Sequence, residues 1–460
     1  MDKFDVVIVG GGPGGYVSAI RAGQLGLRVA LVERESVGGV CLNWGCIPTK
    51  SLLRNAEVLN LFRRANEFGI AVEGIQADYG KAVERSRRVV KRLTTGVRAL
   101  LKKNGVEVIA GTGRLQSADT VIVEPDRRVL HAANVIIATG ARPRALPGIA
   151  IDGERIMTYR QAIVDSTVPE SIVIVGAGPI GMEFAEVYHA YGSQVTVVEM
   201  LPHLLPLEDE EVSEAMERAF RRKGVAFRTG ARVEAVEPAG ERLAVRIVGA
   251  AGAEELSADR VLVAIGVRPN SEEVGLEAAG VQTERGFIQV DERMETNVPH
   301  VYAIGDVTGK LPLAHVAMAQ GIIAAETIAG QSPPPLDYKA LPRCTYTSPQ
   351  VASMGLSEAQ AREQGHDVRV GRFPFRANGK ALALNDYEGF AKVVSDAHYG
   401  EILGVHLIGP EVTELLPEFG LARRLEATPA EIARVVHAHP TLSEALMEAA
   451  TAVEGAAIHI

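Results

Sequence analysis

FDVVIVGGGPGGYVSAIRAGQLGLRVALVE, residues 4–33, and SIVIVGAGPIGMEFAEVYHAYGSQVTVVE, residues 171–199, carry one instruction written twice. Each is an apolar β-forming run, then Gly-x-Gly-Pro-x-Gly, then a helical stretch, then a second apolar strand ending in Glu. The register is constant at 166 residues: Gly10, Gly12 and Gly15 answer to Gly176, Gly178 and Gly181, and Glu33 answers to Glu199. The first glycine allows a sharp strand-to-helix turn, the second leaves room for a pyrophosphate, and the third lets helix and strand pack closely. The helix N-terminus then offers free N–H groups and partial positive charge to phosphates. The Glu ending the second strand is placed to accept hydrogen bonds from a ribose. One such loop is weak evidence, because glycine turns are common. Two, each after a strand and each with its acid at the same offset, predict two dinucleotide sites and so two cofactors. Glu199 followed by Met200 selects NAD over NADP at the second site, since a 2′-phosphate would meet a carboxylate and no arginine. Glu33, followed by Arg34, does not choose between FAD and NAD.

A fainter echo links VIIATGARPR (135–144) to VLVAIGVRPN (261–270), each an apolar strand breaking at Gly140 or Gly266. The chain has 460 residues, enough for about three or four domains. Hydrophobic residues at 47% and charged residues at 23% exclude a disordered chain, a coiled coil and a collagen-like chain. A formal net charge of −9 disfavours nucleic acid and anionic membrane as partners. The N-terminus shows no secretory signal, and no apolar run reaches the ~20 residues of a membrane span. Three cysteines cannot staple a chain of this size, so the expected compartment is the cytoplasm.

After the first repeat comes GGVCLNWGCIPTKSLL, residues 38–53. Cys41 and Cys46 lack the further Cys or His at short spacing that a metal site requires, so no metal is expected. A redox disulfide is the better reading, with two buried structural thiols as the alternative. On an ideal helix, residues five apart lie roughly 8–9 Å apart at Cα. A disulfide needs about 4.4–6.8 Å. The pair therefore closes only if the helix is distorted at its start, where Gly45 gives freedom and Pro48 suits a first turn. A thiolate near a helix N-terminus, with Lys50 one turn on, has a lowered pKa. Cys344 reads as apolar filler.

HAHPTLSE, residues 437–444, offers a general base. Glu444 is close enough to hold one imidazole nitrogen of His439 and leave the other free, with His437 as the competing candidate. Thiol chemistry needs such a base near neutral pKa.

With these motifs in hand, the chain resembles the dihydrolipoamide dehydrogenases, flavin-containing components of 2-oxo acid dehydrogenase complexes. The resemblance runs end to end, and CLNWGCIPTK (41–50), GAGPIGMEFAEVYHAYGSQVTVVEM (176–200), YAIGDV (302–307) and HAHPTLSE carry it most specifically. It implies that Gly10, Gly12, Gly15 and Glu33 hold the adenosine half of FAD. Gly113 and Gly140 would lie against FAD, Asp306 would bind its ribityl chain, and Ala314 would meet it at a helix N-terminus. Lys50 and Glu183 would pair beside the isoalloxazine. Gly176, Gly178, Gly181, Glu199, Val233 and Gly266 would line the NAD site. Cys46 would face the flavin and Cys41 the substrate, and the His-Pro-Thr-x-x-Glu context favours His439 over His437. Val40 and Trp44 depart from the family pattern, Val40 replacing a Thr and Trp44 a smaller apolar or basic residue.

The implied fold is α/β: an FAD-binding domain at 1–143 and an NAD-binding domain at 144–270, both Rossmann-like. A central segment at 271–336 packs on the FAD domain, and a C-terminal α+β dimerisation domain spans 337–460. SPPP at 332–335 marks a linker. The implied partners are a lipoyl domain of an acyltransferase and a second copy of the chain, whose disulfide His439 would serve. Glutathione reductases differ in favouring arginines after the second NAD-site strand, and mercuric reductases in carrying a C-terminal cysteine pair. A non-catalytic redox sensor would not need the full set Cys41, Cys46, Lys50, His439 and Glu444.

Overall fold

The computed structural model describes residues 2–460. Its first strand, Asp2–Val9, is buried at every residue from Val6 to Val9. Burial on both faces is what a central parallel strand between helical layers demands. Val29–Glu33 pairs with it on one side and Arg128–Ile137 on the other, both parallel. Glu107–Ala110 extends the sheet beyond Val29–Glu33. Beyond Arg128–Ile137 the edge is shared: its first half pairs antiparallel with Thr120–Glu124, and its last residues pair parallel with Val301–Ala303. The central segment therefore contributes a strand to the first sheet. It also contributes helix Ala314–Ile328, which packs on helix Pro13–Gln24 so closely that a Cβ on Gly321 would meet the Gly14 carbonyl oxygen at 2.6 Å.

The second repeat builds a five-stranded parallel sheet in the order 226–228, 194–198, 171–175, 260–263, 156–157. A three-stranded antiparallel sheet of Arg232–Ala239, Arg242–Gly249 and Gly252–Ala258 packs beside it. The two strands of the fainter echo, Ala141–Pro143 and Val267–Pro269, pair with each other antiparallel and tie the two halves together. Residues 331–337, which include SPPP, carry no regular structure. The last sheet is antiparallel, in the order 343–345, 350–355, 402–409, 390–396, 368–374, and helix Glu444–Val453 packs against it. Each fully buried Val, Leu, Ile or Phe in these layers contributes about 1.5–3 kcal/mol of transfer free energy. Among the described residues, no helix is long and apolar enough to cross a membrane.

Candidate active site

The two glycine turns repeat the same local contacts. Helices Pro13–Gln24 and Pro179–Ala190 begin at Gly12 and Gly178, each with no side-chain cap and with proline in the first turn. Their leading N–H groups are left for a ligand. Gly10 and Gly176 adopt φ +109° and +104°, and a Cβ on Gly15 or Gly181 would lie 1.9 Å from the carbonyl oxygen of Gly10 or Gly176. Space in front of the helix ends is open: a Cβ on Gly178 would meet nothing within 4 Å, and one on Gly12 only Gly39 Cα at 4.0 Å. Gly140 and Gly266, at φ +68° and +93°, face equally open space. The two acids do more than the sequence disclosed. Glu33 accepts the Gly11 N–H at 2.6 Å and the Glu35 N–H at 2.7 Å. Glu199 accepts the Ala177 N–H at 2.7 Å and the Leu201 N–H at 2.9 Å. Each carboxylate thus ties its own turn to the strand end.

The cysteines lie on two short-coupled helices. Gly39–Asn43 carries Cys41, and Cys46 is the first residue of Cys46–Arg63. The distortion that the spacing requires is a full break at Trp44 and Gly45. Both cysteines are free thiols. The Cys41 thiol, hydrogen-bonded to Cys46, holds Cys46 below the ordinary thiol range against the opposing effect of burial, and Lys50 helps. Cys41 is pushed far up by the same hydrogen bond and by burial. The hydrogen bond therefore favours negative charge on Cys46 over Cys41.

Lys50 Nζ reaches both oxygens of Glu183, each at 2.8 Å, and Glu183 is only 3% exposed. Glu183 comes from the second turn's helix, so this ion pair joins the cysteine helix to the second nucleotide half. Two contacts escaped the sequence reading. The Tyr346 N–H donates to Glu183 at 3.1 Å, and the Lys50 ammonium lies 4.5 Å from the centre of the Tyr346 ring. No local pattern around Tyr346 announces this. Cys344, two residues earlier, has its thiol pushed up to about 11, chiefly by burial.

The two histidines separate cleanly. His437 is locked at both nitrogens, Nδ1 to the Val435 carbonyl and Nε2 to Glu418, each at 2.9 Å. His439 Nδ1 meets Glu444 Oε1 at 2.9 Å, and the His439 side chain is 78% exposed. Its Nε2 is free to take a proton. The other Glu444 oxygen accepts the Thr441 N–H at 2.8 Å. Burial raises the Glu444 carboxyl, but the Thr441 N–H and His439 outweigh it and hold the group below its usual value. Val435 and Val436, 54% and 95% exposed, stand beside this loop.

Asp306 receives no side-chain donor among the described residues, and burial pushes its carboxyl up to about 6. A partly buried carboxylate without side-chain donors fits a polyhydroxyl ligand. The glycine before it is fixed by Gln320, which accepts the Gly305 N–H at 2.6 Å and donates to Tyr338 Oη at 2.9 Å. Ala314 opens its helix without a side-chain cap. Gly113 lies within strand Thr112–Ser117, and the space a side chain would need is filled by Val9 and Val32. Val233 pairs with Ile247 and packs against the core cluster that contains Ala231 and Val198. Open glycine turns, uncapped helix ends and an unpartnered Asp306 together suit FAD at the first site and NAD at the second.

Residues 4–321 match the pyridine nucleotide-disulphide oxidoreductase family model, and residues 341–450 match the dimerisation domain of the same family. The chain is 48% identical to a dihydrolipoyl dehydrogenase of Zymomonas mobilis, over 100% of this chain and 99% of that one. It is 50% identical to a dihydrolipoyl dehydrogenase of Mycobacterium tuberculosis, over 97% of each chain. Among solved structures, LpdA of Mycobacterium tuberculosis matches with a TM-score of 0.90 at 29% identity, over 98% of this chain and 100% of that one. The HOCl-induced flavoprotein disulfide reductase RclA of Escherichia coli matches with a TM-score of 0.89 at 27% identity, over 98% of this chain and 100% of that one. Full-length identity at this level, with both family domains in order, shows that the chain belongs to the dihydrolipoyl dehydrogenases of the pyridine nucleotide-disulphide oxidoreductase family.

Proposed function

We propose that the protein oxidises protein-bound dihydrolipoamide to lipoamide and passes the electrons to NAD, acting on a lipoyl domain of a 2-oxo acid dehydrogenase complex in the cytoplasm. The observation that carries this reading is Cys46: a favoured thiolate at a helix N-terminus, one turn from a Lys50 clamped by Glu183 of the second nucleotide half. FAD, when bound, supplies the two-electron relay between a thiolate and a nicotinamide. Gly10, Gly12, Gly15, Glu33, Asp306 and Ala314 would hold it, with Gly113 and Gly140 alongside. Gly176, Gly178, Gly181, Glu199, Val233 and Gly266 would hold NAD.

His439, oriented through Nδ1 by Glu444, takes a proton from one substrate thiol at Nε2. The substrate thiolate attacks the Cys41 sulfur of the oxidised pair, and Cys46 leaves as a thiolate. The second substrate thiol displaces Cys41 and closes the lipoyl ring. Lys50 stabilises negative charge building up beside Cys46. Closing the ring removes two electrons and two protons. FAD and NAD, when bound, would take up both electrons with one proton as a hydride, and His439 would release the other proton to solvent. His439 stands exposed beside Val435 and Val436, on the domain whose family model is a dimerisation domain. In the dimer we propose, the partner subunit's His439 serves the Cys41–Cys46 pair.

The decisive experiment is anaerobic. Dihydrolipoamide added to the yellow holoenzyme should raise a long-wavelength thiolate-to-flavin charge-transfer band, and added NAD should then turn over. Cys46→Ser should abolish the band and turnover, by ~10³-fold or more. Flavin that stays oxidised, or a band that survives Cys46→Ser, would overturn the assignment.

A further inference from the structure

The distance between the cysteines depends on two residues. Trp44 (φ −136°, ψ 0°) ends the Cys41 helix, and Gly45 (φ −125°, ψ −113°) begins the Cys46 helix. A continuous helix would hold the pair roughly 8–9 Å apart at Cα, too far for a disulfide. Whatever holds this break holds the redox pair.

Trp44 is the chain's one tryptophan. Its N–H closes on the Val40 carbonyl at 2.8 Å, and its ring packs partly buried against the second nucleotide half's core. The Arg160 guanidinium lies over that ring, 4.3 Å from its centre. Arg160 is in turn fixed from two sides. It pairs with Glu35, which follows the strand bearing Glu33. It also sits in helix Tyr159–Ala162, whose N-terminus is closed by a capping box of Thr158 and Gln161. A planar guanidinium stacks on an indole face in a way a lysine ammonium cannot. The contacts run unbroken from Glu33 through the Glu35 N–H and Arg160 to the break between the cysteines.

We propose that Arg160 is a positioning residue for the Cys41–Cys46 couple: stacked on Trp44, it holds the Trp44–Gly45 break in the shape that favours the disulfide over the dithiol. This rests on Cys41–Cys46 being the redox pair. The disulfide requires bonding distance between the two sulfurs, whereas the dithiol keeps only a hydrogen bond there, so releasing the break costs the disulfide more than the dithiol. The effect is mechanical. Lys50, which also holds Cys46 down, lies outside the Arg160–Trp44 contact.

The test is an anaerobic titration of the holoenzyme against the dihydrolipoamide–lipoamide couple, reading the charge-transfer band. Arg160→Leu should move the dithiol–disulfide equilibrium toward the dithiol by about tenfold, or roughly 30 mV for a two-electron couple. Trp44→Val should do the same, and the double variant should shift no further than Trp44→Val alone. Arg160→Lys should recover part of the shift. If Arg160→Leu fails to retain flavin, Glu35→Gln releases Arg160 without touching Trp44 and should shift the equilibrium in the same direction. An Arg160→Leu or Glu35→Gln enzyme that melts earlier with an unchanged equilibrium overturns the proposal, as does a double variant whose shifts add. A wild-type enzyme without any band would instead sink the redox-pair reading itself.

Discussion

The two nucleotide halves match in their turns and differ in what their helices meet. Helix Pro13–Gln24 packs on Ala314–Ile328 of the central segment, which brings Asp306 to the first site. Helix Pro179–Ala190 packs on the cysteine helix Cys46–Arg63 and carries Glu183 to Lys50. The exits differ as well. After Glu33 the chain runs into the two cysteine helices; after Glu199 it runs through a loop with exposed Met200 and Leu207 into helix Glu210–Lys223. One local device, used twice, therefore serves two purposes. In the proposed function the turn holds a dinucleotide, and the outer face of the following helix decides what chemistry lies next to it.

The comparison breaks most visibly at the second glycines. A Cβ at Gly178 meets nothing within 4 Å and one at Gly12 only Gly39 Cα at 4.0 Å, so valine variants at both positions are expected to fold. Gly12→Val should purify without flavin. Gly178→Val should stay yellow and be reduced by dihydrolipoamide, yet lose NAD turnover by ~10²-fold. Stopped-flow reduction with and without NAD separates the two. Identical behaviour of the pair would sink the assignment of different ligands to the two turns.

Glu183→Gln tests the link between the halves. It leaves the Lys50 ammonium, whose side chain is 33% exposed, without its carboxylate. Flavin should remain bound while turnover falls by ~10²-fold, because the charge beside Cys46 is no longer fixed. Rates measured at saturating substrate check this.

Asp306 has no counterpart in the second half, and its effect on stability has a definite sign. Its folded pKa of about 6 lies above its ordinary 3.8, so the folded apoprotein holds a proton that the unfolded chain releases. The Asp306 contribution to apoprotein stability is therefore full below about pH 4, falls as pH rises toward 6, and stays reduced above that. Asp306→Asn should stabilise the apoprotein at pH 8 by on the order of 2 kcal/mol, with the gain vanishing near pH 4. The same variant should bind FAD more weakly. Urea melts of wild-type and variant apoprotein at the two pH values would show it.

The smallest expected effect concerns the acids. Both bond their own turns, so removing one costs local order as well as the proposed ribose contact. Glu199→Ala with Met200→Arg should move the NAD-to-NADP preference by roughly tenfold and leave flavin content unchanged. An equal change in flavin content would mean that the two acids are not independent.

Much of this was legible in the chain. Glycine turns are local: φ near +105° at Gly10 and Gly176, and a carbonyl 1.9 Å from where a Cβ would sit at Gly15 and Gly181, allow no other residue type. The periodic strands around them follow from burial on both faces. The Cys41–Cys46 spacing required a distorted helix for the same kind of reason, since it conflicts with helical geometry over a few residues. Contacts across the fold leave no such trace. The sequence could name His437 and His439 but not choose between them from their own spacing, because the choice depends on Glu418, 19 residues upstream, occupying one of them.

Sequence by itself determined the two βαβ turns, their acids and the cysteine pair, because each is set by backbone geometry within a span of a few tens of residues. Tertiary structure alone decided that Tyr346 closes around the Lys50–Glu183 pair, that Arg160 covers Trp44, and that His439 keeps a free nitrogen. Those contacts join residues more than a hundred positions apart, or depend on which neighbour fills a side chain's hydrogen bonds. Long-range contacts become definite only when packed layers bring the groups together, and no periodicity or spacing in the chain encodes them.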